Sequence, residues 1–382
     1  MNSDRRRLQS RLGERCVPRI GSLAKGAVVA FLMVTTLDAQ PPDRPFFTVG
    51  TAAAPRGAAV MGDLIVPPGV DAGMAIPVAV IHGARPGPVA AFVAGSHGTE
   101  YSSIIAMQRL ITRIDPAQLA GTVIIVPVLN VPSFTSMTPR VNPVDGQTMV
   151  APFPGDPNGT QSQRALARFT NDVIAPADVV IDLHGGDLDE DVGQAFGAWV
   201  RGGNAVQDAA SLRLVQALGL KNIAVYSRPV DAPNTGRGLT GQALIRGKSV
   251  VLVAAGRSGA VGPADLTVLI EGSLNVLAAL RMIDRPAPPA IKHVYLDAGT
   301  PLVTAERDGV FFATLRHDAT VKKGDLLGYT TDLLGRKIAD VRSPVDGLVM
   351  YVHGVPSMSA GTVLAEVLAI MPAPQTEAGV KR

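Results

Sequence analysis

Two short apolar runs in this sequence each lead into a histidine flanked by glycine, and this repeated arrangement constrains the fold more than any other feature. Residues 89–94 lead into GSHGTE, which contains His97 and Glu100, and residues 179–181 lead into DLHGG, which contains His184. Short continuous apolar runs are typical of buried strands. Because open α/β sheets place their sites at the carboxyl ends of strands, we expect the three side chains at one edge of a sheet.

His97, Glu100 and His184 match the ligand set of a catalytic zinc site, which has three nitrogen or oxygen ligands and a fourth position for water or substrate. The neighbouring glycines suit tight turns that bring the backbone close to an ion. A single histidine at a strand end is more often structural than metal-binding, but the repeated pattern favours a metal. The sequence therefore predicts one Zn²⁺ per chain.

The same segments resemble those of the succinylglutamate desuccinylase/aspartoacylase family, whose members are relatives of the zinc carboxypeptidases. The resemblance runs from about residue 62 to the C-terminus and includes IPVAVIHG at 76–83 and FPG at 153–155. It implies a zinc-dependent amidohydrolase that acts on a small N-acyl amino acid or a peptide-like substrate.

Strand and helix patterns alternate across residues 40–285, which we interpret as a zinc-hydrolase-like α/β domain. We predict three layers, with a zinc-carboxypeptidase-like mixed sheet flanked by helices. Apolar residues at helical spacing mark 101–114, 205–218 and 264–282. Apolar runs indicate strands at 76–81, 89–94, 123–129, 179–183, 223–226 and 250–253.

A proline-rich linker at 286–289 leads into an all-β pattern, so residues 290–372 are predicted to form a small barrel-sandwich-like domain. VKKGDLLG at 321–328 and SPVDGLV at 343–349 resemble the turns of lipoyl-type modules. A carrier domain needs a lysine at a hairpin tip, flanked by acidic or methionine residues. The sequence has none there, so we expect no lipoyl or biotin group.

The resemblance identifies two further candidates. Arg140 stands in a long loop, where the family has an arginine whose guanidinium polarises the scissile carbonyl or holds an oxyanion. A surface arginine is the alternative interpretation. Asp182 lies two residues before His184 and would share its side of the strand. It would support the ligand as a neighbouring carboxylate, or it is a buried polar group at a strand end.

The chain departs from the family pattern at three positions. Val150 and Ala151 stand where the family has an Asn-Arg pair that grips the substrate carboxylate. Ala254 stands where the family has the glutamate that takes a proton from water. Loss of a general base costs about 10²–10⁴-fold in rate. The resemblance therefore implies an intact metal site with impaired catalysis, unless another residue supplies the base.

Three residues are candidates to replace what is missing. Arg237 and Arg257, each in a glycine-containing segment, are candidate substrate-binding cations. Glu271 is a nearby carboxylate, but apolar neighbours at helical spacing indicate the exposed face of a helix.

The first 39 residues are predicted to be an export signal. A basic stretch is followed by an apolar run at 26–34 and by Leu37-Asp38-Ala39, which resembles a cleavage site. The run is short for a membrane span, although an uncleaved anchor or a disordered tail is the alternative. Cys16, the single cysteine, lies within this segment, so a processed chain would contain no thiol. We expect a periplasmic or secreted protein.

The net charge excludes a nucleic-acid partner. The formal charge is +3, but residues 1–39 contribute +4, so the remainder is close to neutral. The sequence predicts an exported zinc-dependent hydrolase of small N-acyl amino acids or peptide-like substrates. The alternative is a non-catalytic, zinc-dependent ligand-binding protein on the same fold. The sequence leaves the oligomeric state open.

Overall fold

A computed structural model describes residues 44–150, 152–315 and 317–374. The predicted export signal at 1–39, with Cys16, and the family position at Ala151 lie outside the described residues.

Six α-helices and nineteen strands are formed by the described residues. The helices are α1 (Tyr101–Ile111), α2 (Val131–Ser136), α3 (Gln161–Phe169), α4 (Ala205–Ala217), α5 (Leu239–Ile245) and α6 (Pro263–Ala279). The first ten strands are β1 (Phe46–Val49), β2 (Ala52–Pro55), β3 (Ala58–Val66), β4 (Met74–His82), β5 (Arg85–Ala94), β6 (Ala120–Val126), β7 (Val179–His184), β8 (Glu190–Arg201), β9 (Asn222–Ser227) and β10 (Ser249–Arg257). The remaining strands are β11 (Val294–Asp297), β12 (Val303–Thr304), β13 (Gly309–Ala313), β14 (Thr320–Val321), β15 (Leu326–Thr331), β16 (Lys337–Arg342), β17 (Gly347–His353), β18 (Ser357–Met358) and β19 (Val363–Met371).

A mixed sheet forms the centre of the molecule, with the order β3-β4-β6-β5-β7-β10-β8-β9 in its first part. Strands β6, β5, β7 and β10 are mutually parallel, whereas β8 runs antiparallel to β10. The carboxyl ends of β5, β7 and β10 and the start of β8 consequently lie at one edge of the sheet. The β5–α1 loop, which contains His97 and Glu100, and the end of β7, which contains His184, both lie at this edge.

Helices cover both faces of the central sheet, which confirms the predicted mixed α/β fold. Apolar side chains of α1, α4 and α6 pack on one face, and those of α3 and α5 pack on the other. The helix predicted at 264–282 begins at Pro263, which suits a first turn because proline lacks the backbone N–H that would be unpaired there. No helix among the described residues is both long and apolar enough to cross a bilayer.

The C-terminal strands continue the central sheet beyond β9. Strand β11 pairs with β9, β19 pairs with β11, and β17 pairs with β19 and also with the start of β8. A second sheet contains β16, β15, β13 and β18. The all-β character predicted for this region is observed in the described residues. That residues 290–372 form a domain of their own stays a prediction.

Candidate metal centre

The loop between β5 and α1 holds His97 and Glu100. A tight turn connects them, with the Glu100 N–H donating to the carbonyl of His97 at 3.3 Å, and α1 begins directly after Glu100. Gly98 is required for close packing in this loop, because a Cβ atom there would lie 2.3 Å from the backbone nitrogen of Phe134. The histidine and the carboxylate are therefore fixed at the edge of the sheet by the backbone around them.

His184, the last residue of β7, lies beside this loop because β5 and β7 are adjacent parallel strands. Its Nδ1 lies 3.0 Å from Glu100 Oε2, and the Nδ1 of His97 lies 2.7 Å from Glu100 Oε1. The Gly185 N–H also donates to Glu100 Oε2 at 3.0 Å. The three residues predicted from the sequence are thus brought together, and one donor atom from each lies within 4.8 Å of the others.

The charges of the three side chains are strongly coupled. Burial opposes the ionised form of Glu100, but the two neighbouring imidazoles lower its pKa well below the usual range. Burial also opposes the charge of each imidazole, whereas the Glu100 carboxylate raises the pKa of His97 and of His184. The cluster therefore combines one ionised carboxylate with two basic nitrogens.

These donors fit a zinc ion. Two imidazole nitrogens and one carboxylate oxygen converge, and this is a ligand set found in catalytic zinc sites with an open fourth position. Glu100 is buried with 2% of its side chain exposed, while His97 and His184 expose 15% and 17%. The protein therefore buries the carboxylate, while the two imidazoles stay partly exposed, as a site that binds a substrate requires.

Asp182 lies behind the imidazole of His184. Its Oδ1 is 3.2 Å from His184 Nε2, so the ring nitrogen opposite to Glu100 faces a carboxylate. A carboxylate in this position fixes the orientation of a histidine ligand and increases its basicity. The structure thus places the Asp182 carboxylate beside His184, and its role as a support for a metal ligand stays a prediction.

Arg140 is at the same edge, and its backbone has a φ of +60°. The guanidinium forms two hydrogen bonds with Asp189, from Nη1 at 3.0 Å and from Nη2 at 2.6 Å. Nη2 also donates to Glu190 Oε1 at 2.8 Å. Burial opposes the charge of Arg140, but the bonds with Asp189 and the charge of Glu190 raise its pKa. The arginine is therefore a cation held in place by two carboxylates.

The sequence analysis did not identify those two carboxylates. Asp189 and Glu190 belong to an acidic run at 187–191 that directly follows DLHGG. The available signal was that this acidic run directly follows a ligand motif and that Arg140 offers the opposite charge. Its significance depends on the turn that brings β8 back to the edge where β7 ends.

Ala254 is the neighbour of His184 in the sheet, because the two residues are partners in the parallel ladder of β10 and β7. Ala254 is buried, with 4% of its surface exposed. A carboxylate at this position would lie next to the ligands, and the methyl group of alanine cannot accept a proton.

The other candidates lie farther along the loops. The Nε of Arg257, the last residue of β10, is 3.9 Å from Asp191 Oδ1, and half of its side chain is exposed. The contacts described for Arg237 connect it to Asn234 and to the backbone N–H of Phe153. The Val150 N–H donates to Thr148 within its own loop.

Glu271 lies on α6 and forms ion pairs with Arg113 at 3.2 Å and with Arg285 at 2.5 Å. Its carboxylate is therefore engaged on the outer face of the helix layer.

Comparison with known proteins gives one family match. A model described as the succinylglutamate desuccinylase/aspartoacylase catalytic domain matches residues 86–280, slightly more than half of the chain. The N-α-acetyl-L-2,4-diaminobutyric acid deacetylase of Halomonas elongata is 29% identical over 302 residues, which cover 78% of this chain and 86% of the relative.

Two solved structures show the same fold. The product-bound ectoine utilization protein EutE (DoeB) of Ruegeria pomeroyi has a TM-score of 0.75 at 24% identity, covering 86% of this chain and 100% of that chain. A succinylglutamate desuccinylase/aspartoacylase of Rhodobacter sphaeroides has a TM-score of 0.74 at 24% identity, covering 83% and 97%.

Proposed function

This chain belongs to the succinylglutamate desuccinylase/aspartoacylase family, and from that premise we propose that it is a zinc-dependent hydrolase of amide bonds in small N-acyl amino acids or peptide-like compounds. A relative that deacetylates an N-acetylated amino acid supports the reaction class. The observation that carries the proposal is the convergence of His97, Glu100 and His184 at one sheet edge. Bound by these residues, Zn²⁺ supplies a Lewis acid that lowers the pKa of water towards about 7.

Arg140 has the second role in the proposal. Asp189 and Glu190 hold its guanidinium at the ligand edge, where it would polarise the substrate carbonyl or hold the oxyanion that forms from it. Arg257 and Arg237 are proposed to contact the substrate, because Val150 and Ala151 cannot bind a carboxylate as the family's Asn-Arg pair does.

We assign the C-terminal β domain, residues 290–372, to the border of the site. A cavity of about 370 Å³ lies beside Asp189, and it is lined by Leu188 from the acidic turn and by His353 and Met358 from the C-terminal strands. Because Asp189 holds Arg140, the C-terminal strands would form a border of the site on this side.

Export to the periplasm or the medium is also proposed, on the support of the sequence of residues 1–39 alone. Expression in a bacterium should yield a chain outside the cytoplasm with a new N-terminus near Gln40. A full-length chain confined to the cytosol would contradict export.

The second candidate is a non-catalytic, zinc-dependent ligand-binding protein, and the buried Ala254 beside His184 is the observation in its favour. A panel of N-acyl amino acids that includes N-α-acetyl-L-2,4-diaminobutyrate separates the two functions. The zinc-loaded chain should release free amine from at least one compound, and His184→Ala should release none. A zinc-loaded chain that binds a panel compound without any turnover would favour the binding protein.

A further inference from the structure

We infer that Glu190 is the proton-transfer residue of this site and does the work of the family glutamate that Ala254 has replaced. The inference rests on the proposed hydrolase function. It is specific to this chain, because it moves the proton-transfer step from the end of β10 to the start of β8.

The first argument is position. Glu190 is the first residue of β8, which runs antiparallel to β10, so it lies at the edge where β7 and β10 end. The turn after His184 is short, and the Glu190 N–H donates to the carbonyl of Asp187 at 2.9 Å. Asp187 in turn accepts a hydrogen bond from Thr99, which lies between His97 and Glu100. The start of β8 is thereby connected to the ligand loop.

Gly186 permits this return of the chain. A Cβ atom at Gly186 would lie 2.5 Å from the Cα of Arg257 and 2.6 Å from the carbonyl oxygen of Glu190. Only glycine allows the turn after His184 to pass this close to the end of β10 and the start of β8. The glycine of the DLHGG motif therefore has a second role in this chain, which is to place Glu190.

The second argument concerns the two carboxylate oxygens. Oε1 of Glu190 accepts from Arg140 at 2.8 Å, which fixes the side chain. Oε2 accepts a longer hydrogen bond of 3.3 Å from the Asp187 N–H. The side chain is 19% exposed, close to the values for His97 and His184. Glu190 thus has one anchored oxygen and one weakly held oxygen on a partly exposed side chain.

Neighbouring carboxylates are less suited to exchange a proton with a substrate. Asp182 faces His184. Each of the two carboxylate oxygens of Asp189 accepts a hydrogen bond from Arg140. Asp187 accepts from Thr99 and the Leu188 N–H on Oδ1 alone, but the residue is fully buried and does not face solvent. Asp191 pairs with His317 at 2.9 Å. Glu190 is favoured among these five acids because its side chain is partly exposed and its Oε2 is held only by one long hydrogen bond.

The surroundings support this function. Burial raises the pKa of Glu190, the nearby charge of Glu100 raises it further, and Arg140 opposes both effects. A general base works best when its pKa lies near the working pH.

The proposed step is balanced by one water molecule. The water oxygen bonds to the amide carbonyl carbon while one of its protons passes to Oε2 of Glu190. The C–N bond then breaks with its electron pair on nitrogen, and Glu190 returns the proton to that nitrogen. The carboxylic acid product carries the second proton, and Glu190 ends in its starting state.

The test compares Glu190→Gln with Glu366→Gln in the zinc-loaded full-length chain. Glu366 is also a half-buried glutamate, and its pKa is raised by desolvation and by Glu190, but it lies on β19. Glu190→Gln should lower kcat by about 10²–10⁴-fold with zinc retained, and Glu366→Gln should lower it by less than about tenfold. An active wild type together with an equally active Glu190→Gln variant overturns the inference and leaves the proposed function standing. A zinc-loaded wild type without turnover overturns both.

Two further measurements separate proton transfer from a structural role. Formate added to Glu190→Ala should restore part of kcat, because a small carboxylate can enter the space of the missing side chain; no recovery in a zinc-loaded variant would contradict the inference. Acetohydroxamic acid should lose a proton when it binds. Glu190 should take up this proton in the wild type, whereas Glu190→Gln should release it to the buffer. Calorimetry in buffers of different ionisation enthalpy measures the released proton. Equal release by both proteins would contradict it as well.

Discussion

The ends of β7 and β10 are neighbours in one sheet, yet they have kept different parts of the family pattern. His184 at the end of β7 stands in the ligand cluster, whereas Ala254, its partner in the ladder, has no functional group. The candidate metal ligands come from the β5–α1 loop and from the end of β7, and these two segments must converge. A proton-transfer group needs only to reach the same edge of the sheet, and β8 begins at that edge. On the proposed function, metal binding would depend on these two segments, whereas proton transfer could be supplied by another strand.

Removal of a ligand at the end of β7 should have the largest effect. His184→Ala deletes one of three donors, so we expect loss of bound zinc and of all zinc-dependent turnover. His293→Ala is the matched control, because His293 bonds to the carbonyl of Leu220, and it should keep its zinc. Elemental analysis of both purified variants measures this. Full zinc content in His184→Ala would show that the ligand set is wrong.

Asp182→Asn should have the next effect, because it removes the charge behind His184 without changing the shape of the side chain. Loss of such a supporting carboxylate typically weakens metal affinity or activity by about 10–100-fold. Competition with a chromogenic chelator measures the affinity. Asp178→Asn, at the opposite end of β7, serves as the control, since Asp178 caps the Val89 N–H there. Equal zinc affinities in the two variants would remove Asp182 from the site.

A carboxylate restored at the end of β10 should partly replace Glu190. In the Glu190→Gln background, Ala254→Glu places a glutamate beside His184, and we expect kcat to rise by at least about tenfold. In the wild-type background the gain should be smaller, because Glu190 already transfers the proton. A rise of equal size in both backgrounds would show that Glu190 has no such role.

The smallest expected effect is on stability. The pKa of Glu366 is raised by burial and then by Glu190, so the folded state binds more protons than the unfolded state above pH 4.5. Stability therefore falls as the pH rises from 4.5 through the folded pKa. Glu366→Gln removes this loss, so its melting temperature should match the wild type in acid and exceed it increasingly towards neutral pH.

Glu271→Gln provides the opposite sign. The hydrogen bond from Arg285 lowers the pKa of Glu271, so the folded state gains stability above the unfolded pKa of 4.5 and loses it as the pH falls through the folded value. This variant should be slightly less stable than the wild type at neutral pH, and the difference should vanish in acid. Parallel pH-dependent shifts in the two variants would contradict both assignments.

The sequence was sufficient for the ligand cluster because each ligand follows an apolar run that forms a strand. The predicted strand at 89–94 extends over Arg85–Ala94 in the structure, and the one at 179–183 extends to His184. Parallel neighbours end at the same edge, so local patterns predicted a long-range contact. The interest of Ala254 came instead from the family resemblance, and the ladder with β7 places it beside His184.

Glu190 could not be predicted in this way. Strand β8 has no continuous apolar run in its first half, and its pairing with β10 and β17 depends on long-range ladder contacts. The turn at Gly186 that returns the chain is recognised only when the backbones of β8 and β10 are seen together. The bonds between Arg140 and the acidic run likewise join residues about 50 positions apart.

The central claim is that the cluster at the end of β7 holds one zinc ion on which amide hydrolysis depends. The most direct measurement is a titration of metal-free protein with Zn²⁺ in the presence of N-α-acetyl-L-2,4-diaminobutyrate or another substrate from the panel. We predict that turnover rises in proportion to bound zinc and stops rising at one ion per chain. Turnover that is independent of zinc, or one bound ion per chain with no turnover of any N-acyl amino acid, would contradict the claim.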